Sequence, residues 1–270
     1  MHVLSVIFSA AKEGYGPEEW EDGAAAGARG LAPGGDPPAF RFAVADGATE
    51  SYESRRWVRL LTESFMSPDA VGGAGGPEFD AMSMHGWLKT MQDQWHLTAP
   101  AGADYIEQLK IRRGTLATFL GGQFTGLNTA TPAWQAVALG DSVLFHVRQG
   151  HLVEHFPPLS ADDFDSAPDG ISTLPERLGR MTERLQARAG WLAPGDLVYV
   201  ATDAFAKWMI GCHERGDRAL WPLLGELAHP DVFTRLVADM RGNMTLKDDD
   251  VTLMRLRLVT EPPGTVVTCL

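Results

Sequence analysis

The chain has 270 residues, 44% of them apolar and 21% charged, and its 35 Asp and Glu against 23 Lys and Arg give a formal charge of −12 at pH 7. The length suits one large domain or two small ones, and the apolar fraction supports a core, which excludes a wholly disordered chain. The acidic average argues against general binding to nucleic acid or anionic lipid, since both need basic faces.

Val3 to Phe8 reads as a strand, with no basic region before it and too little length for a signal-peptide core. A polar, Gly-rich stretch runs from Lys12 to Pro38, and Phe40 to Ala45 is a second strand that stops at the turn signal Asp46-Gly47. Ser51 to Phe65 carries Trp57, Leu60, Leu61 and Phe65 at helical spacing. Ser67 to Pro77 reads as an exposed, flexible Gly/Pro loop, followed by helices over about Phe79–Trp95 and Asp104–Ile111.

The period then shortens. Thr115–Phe124, Ala133–Leu139, Val143–Val147 and Leu152–His155 are strand-like and read as an antiparallel meander, with turns at Gly140-Asp141 and Gln149-Gly150. An acidic loop around 160–170 follows, then a helix over Pro175–Ala187 and a buried strand, Leu197–Ala201, ending at Thr202-Asp203. Ala204–Cys212, Arg218–Leu227 and Asp231–Met240 read as helices, and Val251–Val259 as the final strand. No linker separates two domains, so residues 1–270 are expected to form one. Strands in runs with helices between them predict an α+β fold of two packed antiparallel sheets flanked by helices.

Several chemistries lack their motifs: there is no P-loop, no H-E-x-x-H and no G-x-S-x-G, and the glycine cluster Gly72–Gly76 does not follow a strand. Cys212 lies in an apolar segment and reads as structural; Cys269 is far from it, so neither a disulfide framework nor a cysteine zinc site is supported. The histidines, among them His85, His96, His213 and His229, show no ligand spacing. No run of 18 apolar residues occurs, and a cytoplasmic protein is expected.

One pattern does recur, an aspartate beside an apolar strand: FAVAD ends at Asp46, AVALGD at Asp141 and LVYVATD at Asp203, and KDDD precedes the last strand at Asp249. For any one of these, a turn is the simpler explanation. If the strands are neighbours, their carboxylates converge and repel, and an all-oxygen cluster of that kind suits Mg²⁺ or Mn²⁺.

The order of these segments resembles the type-2C (PPM-type), metal-dependent Ser/Thr protein phosphatases. The matching landmarks are Glu21-Asp22, Asp46-Gly47 in VADGATES, Gly114-Thr115, Asp141 in LGDSVLFHV, Asp203 in VATDAF, and Asp249-Asp250 in KDDDVTLM. They occur in family order across nearly the whole chain. The resemblance implies a four-layer αββα sandwich and a dinuclear Mg²⁺ or Mn²⁺ site. Asp46, Asp203 and Asp249 would surround one ion; Asp46, the Gly47 carbonyl and Glu21 would hold the second. Asp141 with Asp203 would hold a third, looser ion, and Asp22 would sit behind the ligands. It further implies hydrolysis of phosphoserine and phosphothreonine by a metal-activated water, since paired cations lower the pKa of a bound water and offset phosphoryl charge. Asp46, Asp203 and Asp249 are the implied catalytic residues, and the implied partner is a phosphorylated protein; for the oligomeric state a monomer is the default expectation.

The chain also departs from the family. The glycine-rich loop is reduced to Asp46-Gly47-Ala48-Thr49-Glu50, Thr-Asp-Gly has become Thr202-Asp203-Ala204, and Asp-Asn has become Asp249-Asp250, with Asp248 a rival register. The family's phosphate-gripping arginine near the first strand has no counterpart; Lys12 is the nearby cation, and Glu18 and Glu19 compete with Glu21. Two other readings follow: a phosphatase-like regulatory or binding module, and a hydrolase of small phosphate esters. The net charge predicts a preference for phosphosites flanked by basic residues.

Overall fold

The computed structural model describes residues 1–16, 19–28, 39–48, 51–67, 77–98, 105–164 and 168–260. The Gly/Pro loop expected at 67–77 falls almost wholly outside these residues, as do Glu18, Thr49, Glu50, Cys269 and part of the acidic loop.

The strands are β1 (His2–Ala10), β2 (Asp22–Ala28), β3 (Phe40–Gly47), β4 (Leu116–Thr125), β5 (Ala133–Leu139), β6 (Val143–Arg148), β7 (His151–Phe156), β8 (Ile171–Ser172), β9 (Gln186–Trp191), β10 (Leu197–Ala201) and β11 (Val251–Val259). The helices are α1 (Ser54–Met66), α2 (Ala81–Leu97), α3 (Tyr105–Arg113), α4 (Leu178–Arg184), α5 (Asp203–Glu214), α6 (Leu220–Gly225) and α7 (Pro230–Gly242). One antiparallel sheet has the order β1-β11-β10-β6-β7 and the other β2-β3-β4-β5-β9, with β8 paired to β4.

Side-chain alternation along the strands builds four layers. Phe42, Val44, Leu120, Phe124 and Trp134 of one sheet meet Leu144, Val198, Val200, Met254 and Leu256 of the other in a central core. The opposite parity of the same strands faces helices. Ala43, Ala45 and Phe119 pack under α1 and α2, while Phe145, Tyr199 and Leu253 pack under α5, α6 and α7. This is the αββα sandwich expected from the sequence.

Three readings are corrected. The expected meander is two hairpins: β4 pairs with β5 and β6 with β7, but β5 and β6 lie in different sheets, so the chain crosses the sandwich at Gly140-Asp141. Gly140 takes φ +113°, and a Cβ there would lie 2.6 Å from Thr118 Cβ, so only glycine makes this crossing without displacing β4. The helix expected over Pro175–Ala187 starts with a 3-10 turn, ends at Arg184, and gives way to the exposed edge strand β9. β2 lies inside the stretch read as irregular. Its sequence, DGAAAGA, is poor in strand formers because α1 lies close upon it: a Cβ on Gly23 would come within 2.3 Å of Val58 Cγ1.

Candidate metal centre

Every strand-associated aspartate singled out in the sequence sits at one end of the sandwich. In the six-stranded sheet, Asp22 opens β2 and stands opposite Asp46 at the end of β3, which in turn pairs with Thr118 near the start of β4. Asp141 follows β5 where the chain changes sheets. In the other sheet, β10 ends at Ala201 opposite Leu253, which puts Asp203 beside the residues that lead into β11.

Asp46 is the centre of this group. Burial, and after it the charges of Asp22, Asp203, Asp141 and Asp249, push its carboxyl well above the usual range. Asp203 is likewise pushed up, by burial first and Asp249 next, and its Oδ1 accepts the Ala204 N–H at 2.5 Å. Gly47 owes its identity to crowding, since a Cβ would sit 2.9 Å from Ser54 Cβ and 3.1 Å from the Glu21 carbonyl oxygen.

The KDDD run splits into distinct duties. Asp248 turns outward, 3.3 Å from Arg241 and accepting the Glu13 N–H. Asp249 faces the cluster, with Oδ2 2.5 Å from Lys247 Nζ, which also lies 3.7 Å from Asp203 Oδ2. Asp250 is buried and accepts the Lys12 and Glu21 N–H groups at 2.9 and 2.7 Å, fastening the chain after β1 to the chain entering β2. Burial works against the Lys247 ammonium, but Asp249 and Asp203 outweigh it and hold the lysine charged.

Glu21 stands at the edge of the group. Its Oε1 accepts a 2.6 Å hydrogen bond from Ser54, and Lys12 lies 3.6 Å from its Oε2, so that lysine is engaged with an acid. Asp22 is buried behind the cluster, with Oδ2 accepting from Thr252 at 2.7 Å and Thr202 at 3.0 Å, a bond set that joins the two sheets. Burial pushes its pKa up to about 8, and its Oδ1 has no hydrogen-bond partner among the described residues. Sequence reasoning missed Lys247, Ser54 and Thr252, and named Asp250 and Thr202 only as motif positions without their bonding roles. Only the run of three aspartates hinted that successive side chains would serve different faces.

Among the described residues no three carboxylate, imidazole or thiolate groups close into a finished ligand shell. The donor set nevertheless fits a hard divalent cation. The converging groups are all oxygen donors, a single lysine offsets Asp203 and Asp249, and the crowding of like charge at Asp46 is what such an ion relieves.

By sequence, the chain matches no protein-family model and no curated protein. By structure, it aligns with a bacterial serine phosphatase at TM-score 0.59, covering 97% of this chain and 100% of that one at 10% identity. The chain has the type-2C phosphatase fold. Two further structures of that fold are similar over 95% of this chain. One is the catalytic domain of the serine/threonine phosphatase PstP in complex with two manganese ions (TM-score 0.57, 13% identity, 98% of that chain). The other is PppA of Pseudomonas aeruginosa, described as a regulatory component of the T6SS (TM-score 0.53, 16% identity, 98% of that chain). The type-2C fold thus extends through all four layers and both sheets, and the carboxylate-bearing end is one end of that sandwich.

Proposed function

We propose that residues 1–270 act as one phosphatase domain that removes phosphate from phosphoserine and phosphothreonine in cytoplasmic proteins. The observation that carries the reading is the convergence of Asp46, Asp203 and Asp249 from two sheets, on a fold whose relatives are described as serine/threonine phosphatases. Asp46, Asp203 and Asp249 would hold one Mg²⁺ or Mn²⁺ ion, Asp46 with the Gly47 carbonyl and Glu21 a second, and Asp141 with Asp203 a third. When bound, such ions supply an activated water and positive charge against the phosphoryl oxygens. The chain's own work is to hold the ligands rigidly. Asp22, through Thr202 and Thr252, locks the β2, β10 and β11 ends together, and Asp250 fixes the backbone on which Glu21 rides.

Hydrolysis of an aryl phosphate by the purified chain should require Mn²⁺ or Mg²⁺, and Asp46→Asn should lower it at least 100-fold. In metal-free buffer the same substitution should raise thermal stability by about 1 kcal/mol, because it removes a charge that its neighbours repel. Full activity in excess chelator would defeat the proposal. A second reading is a phosphatase-like regulatory or binding module with weak or no catalysis; it is favoured by the lodging of Lys247 against Asp249 and Asp203, where the lysine offsets part of their charge without a metal.

A further inference from the structure

A groove of about 680 Å³ starts at Asp203 and runs along α5. One wall is a stripe of that helix and its C-cap, Asp203, Lys207, Gly211 and Arg215, spaced four residues apart. Phe164, Trp208 and Met244 supply apolar surface, and Lys247 stands at the Asp203 end. The charges along it are not evenly committed. Lys247 is engaged with Asp249 and Asp203, and Arg241 with Asp248 and the Ala11 carbonyl. Lys207 and Arg215 are exposed; among the described residues the Arg215 side chain makes a 3.3 Å contact to Cys212 Sγ and no ion pair, and Glu13 is the acid on the opposite wall without one. Gly211 keeps the floor open, since a Cβ there would press to 3.1 Å from Arg215 Nη1.

We propose that this groove binds the polypeptide flanking the phosphorylated residue, and that Lys207 and Arg215 select acidic side chains in it. The inference rests on the phosphatase reading for the position of the phosphate, and it specifies the substrate. At 1.5 Å rise per helical residue, Lys207 lies about 6 Å and Arg215 about 18 Å along α5 from Asp203. An extended peptide advances about 3.3 Å per residue, so these cations meet the second and fifth residues from the phosphorylated one. The preference runs opposite to the one expected from the net charge, because the charge of −12 is a property of the whole surface and the groove beyond Asp203 is locally basic.

The test uses fluorescein-labelled phosphoserine peptides carrying Asp, or Lys, at the second and fifth positions, placed on either side of the phosphoserine. Affinities are read by fluorescence polarisation on the wild-type chain with Mn²⁺, each peptide carrying the non-hydrolysable phosphonate analogue of phosphoserine so that no turnover occurs. The Asp peptide of one direction should bind roughly fivefold more tightly than its Lys counterpart, with the gap narrowing as salt rises. Lys207→Glu with Arg215→Glu should reverse the order, and Lys207→Ser alone should shrink the gap. Equal affinities, a preference for Lys peptides, no binding of any peptide, or a double variant with the original order would overturn the proposal. Aryl phosphate hydrolysis by the wild-type chain is measured alongside. Turnover without peptide discrimination removes the groove assignment alone, and discrimination without turnover removes the phosphatase reading alone.

Discussion

Acids at the two ends of the sandwich carry opposite electrostatic situations, and the difference lies in what faces them. Asp46 is half-buried among other carboxylates, whereas Asp196 is buried among cations and donors. Arg148 binds Asp196 in bidentate fashion at 2.8 and 2.7 Å, His146 Nε2 lies 2.8 Å away, and the Ala193 N–H donates at 2.8 Å. Burial opposes the Asp196 charge, but Arg148 and His146 outweigh it and hold the carboxyl below its ordinary value. A carboxyl depressed in the folded state stabilises the protein above its unfolded value, near 4, and that contribution is lost as pH falls through the folded value. Asp196→Ala should therefore cost about 3 kcal/mol at pH 7, since it strands buried His146 and partly exposed Arg148. Thermal melts of both proteins from pH 7 to pH 2 should show the difference holding down to about pH 4 and shrinking below it; a difference unchanged at pH 2 would contradict the assignment.

At the scale of elements, the spacing between α1 and the strands beneath it sets the end of β3. Gly47 and Gly23 both lie in contact with α1, and neither tolerates a side chain. Gly47→Ala should destabilise the protein by about 2 kcal/mol by overpacking, and should weaken Mn²⁺ binding measured by calorimetry because the carbonyl next to Asp46 shifts. Gly86, in α2, has open space where a Cβ would be, so Gly86→Ala should instead stabilise by about 1 kcal/mol through helix propensity alone. The contrast separates crowding from backbone entropy; equal effects at both positions would refute it. The same close packing explains what could be read from the sequence. Strands rich in Val, Phe and Leu, such as β3, β4, β6, β10 and β11, and helices with an apolar stripe, such as α1, announce themselves by period. β2 could not, because its alanines and glycines are chosen by the helix above it, and β9 could not, because an exposed edge strand such as QARAGW has little apolar alternation to show. At the site, Asp46, Asp141 and Asp203 were legible as acids that end strands. Lys247 and Asp250 were not, since their roles depend on which way each side chain of one short run points.

Over the whole molecule, the two sheets bring distant parts of the sequence to one end: Asp22, Asp141, Asp203 and Asp249 span more than two hundred residues yet all act on Asp46, with Glu21 at the edge. The central apolar core fixes the sheets against each other, so the positions of these acids are set by the same packing that holds the fold together. That packing is also why a fold match at 10–16% identity persists over nearly the full chain. Several of the 35 acids thus gather at one end of the sandwich, and the groove beside them carries the exposed cations Lys207 and Arg215. Anomalous diffraction from crystals soaked in Mn²⁺ tests the central claim most directly. Two manganese peaks should lie among Asp46, Asp203 and Asp249 and beside Gly47 and Glu21, and both should vanish in Asp46→Asn; soaked crystals with no peak at these carboxylates would contradict the account.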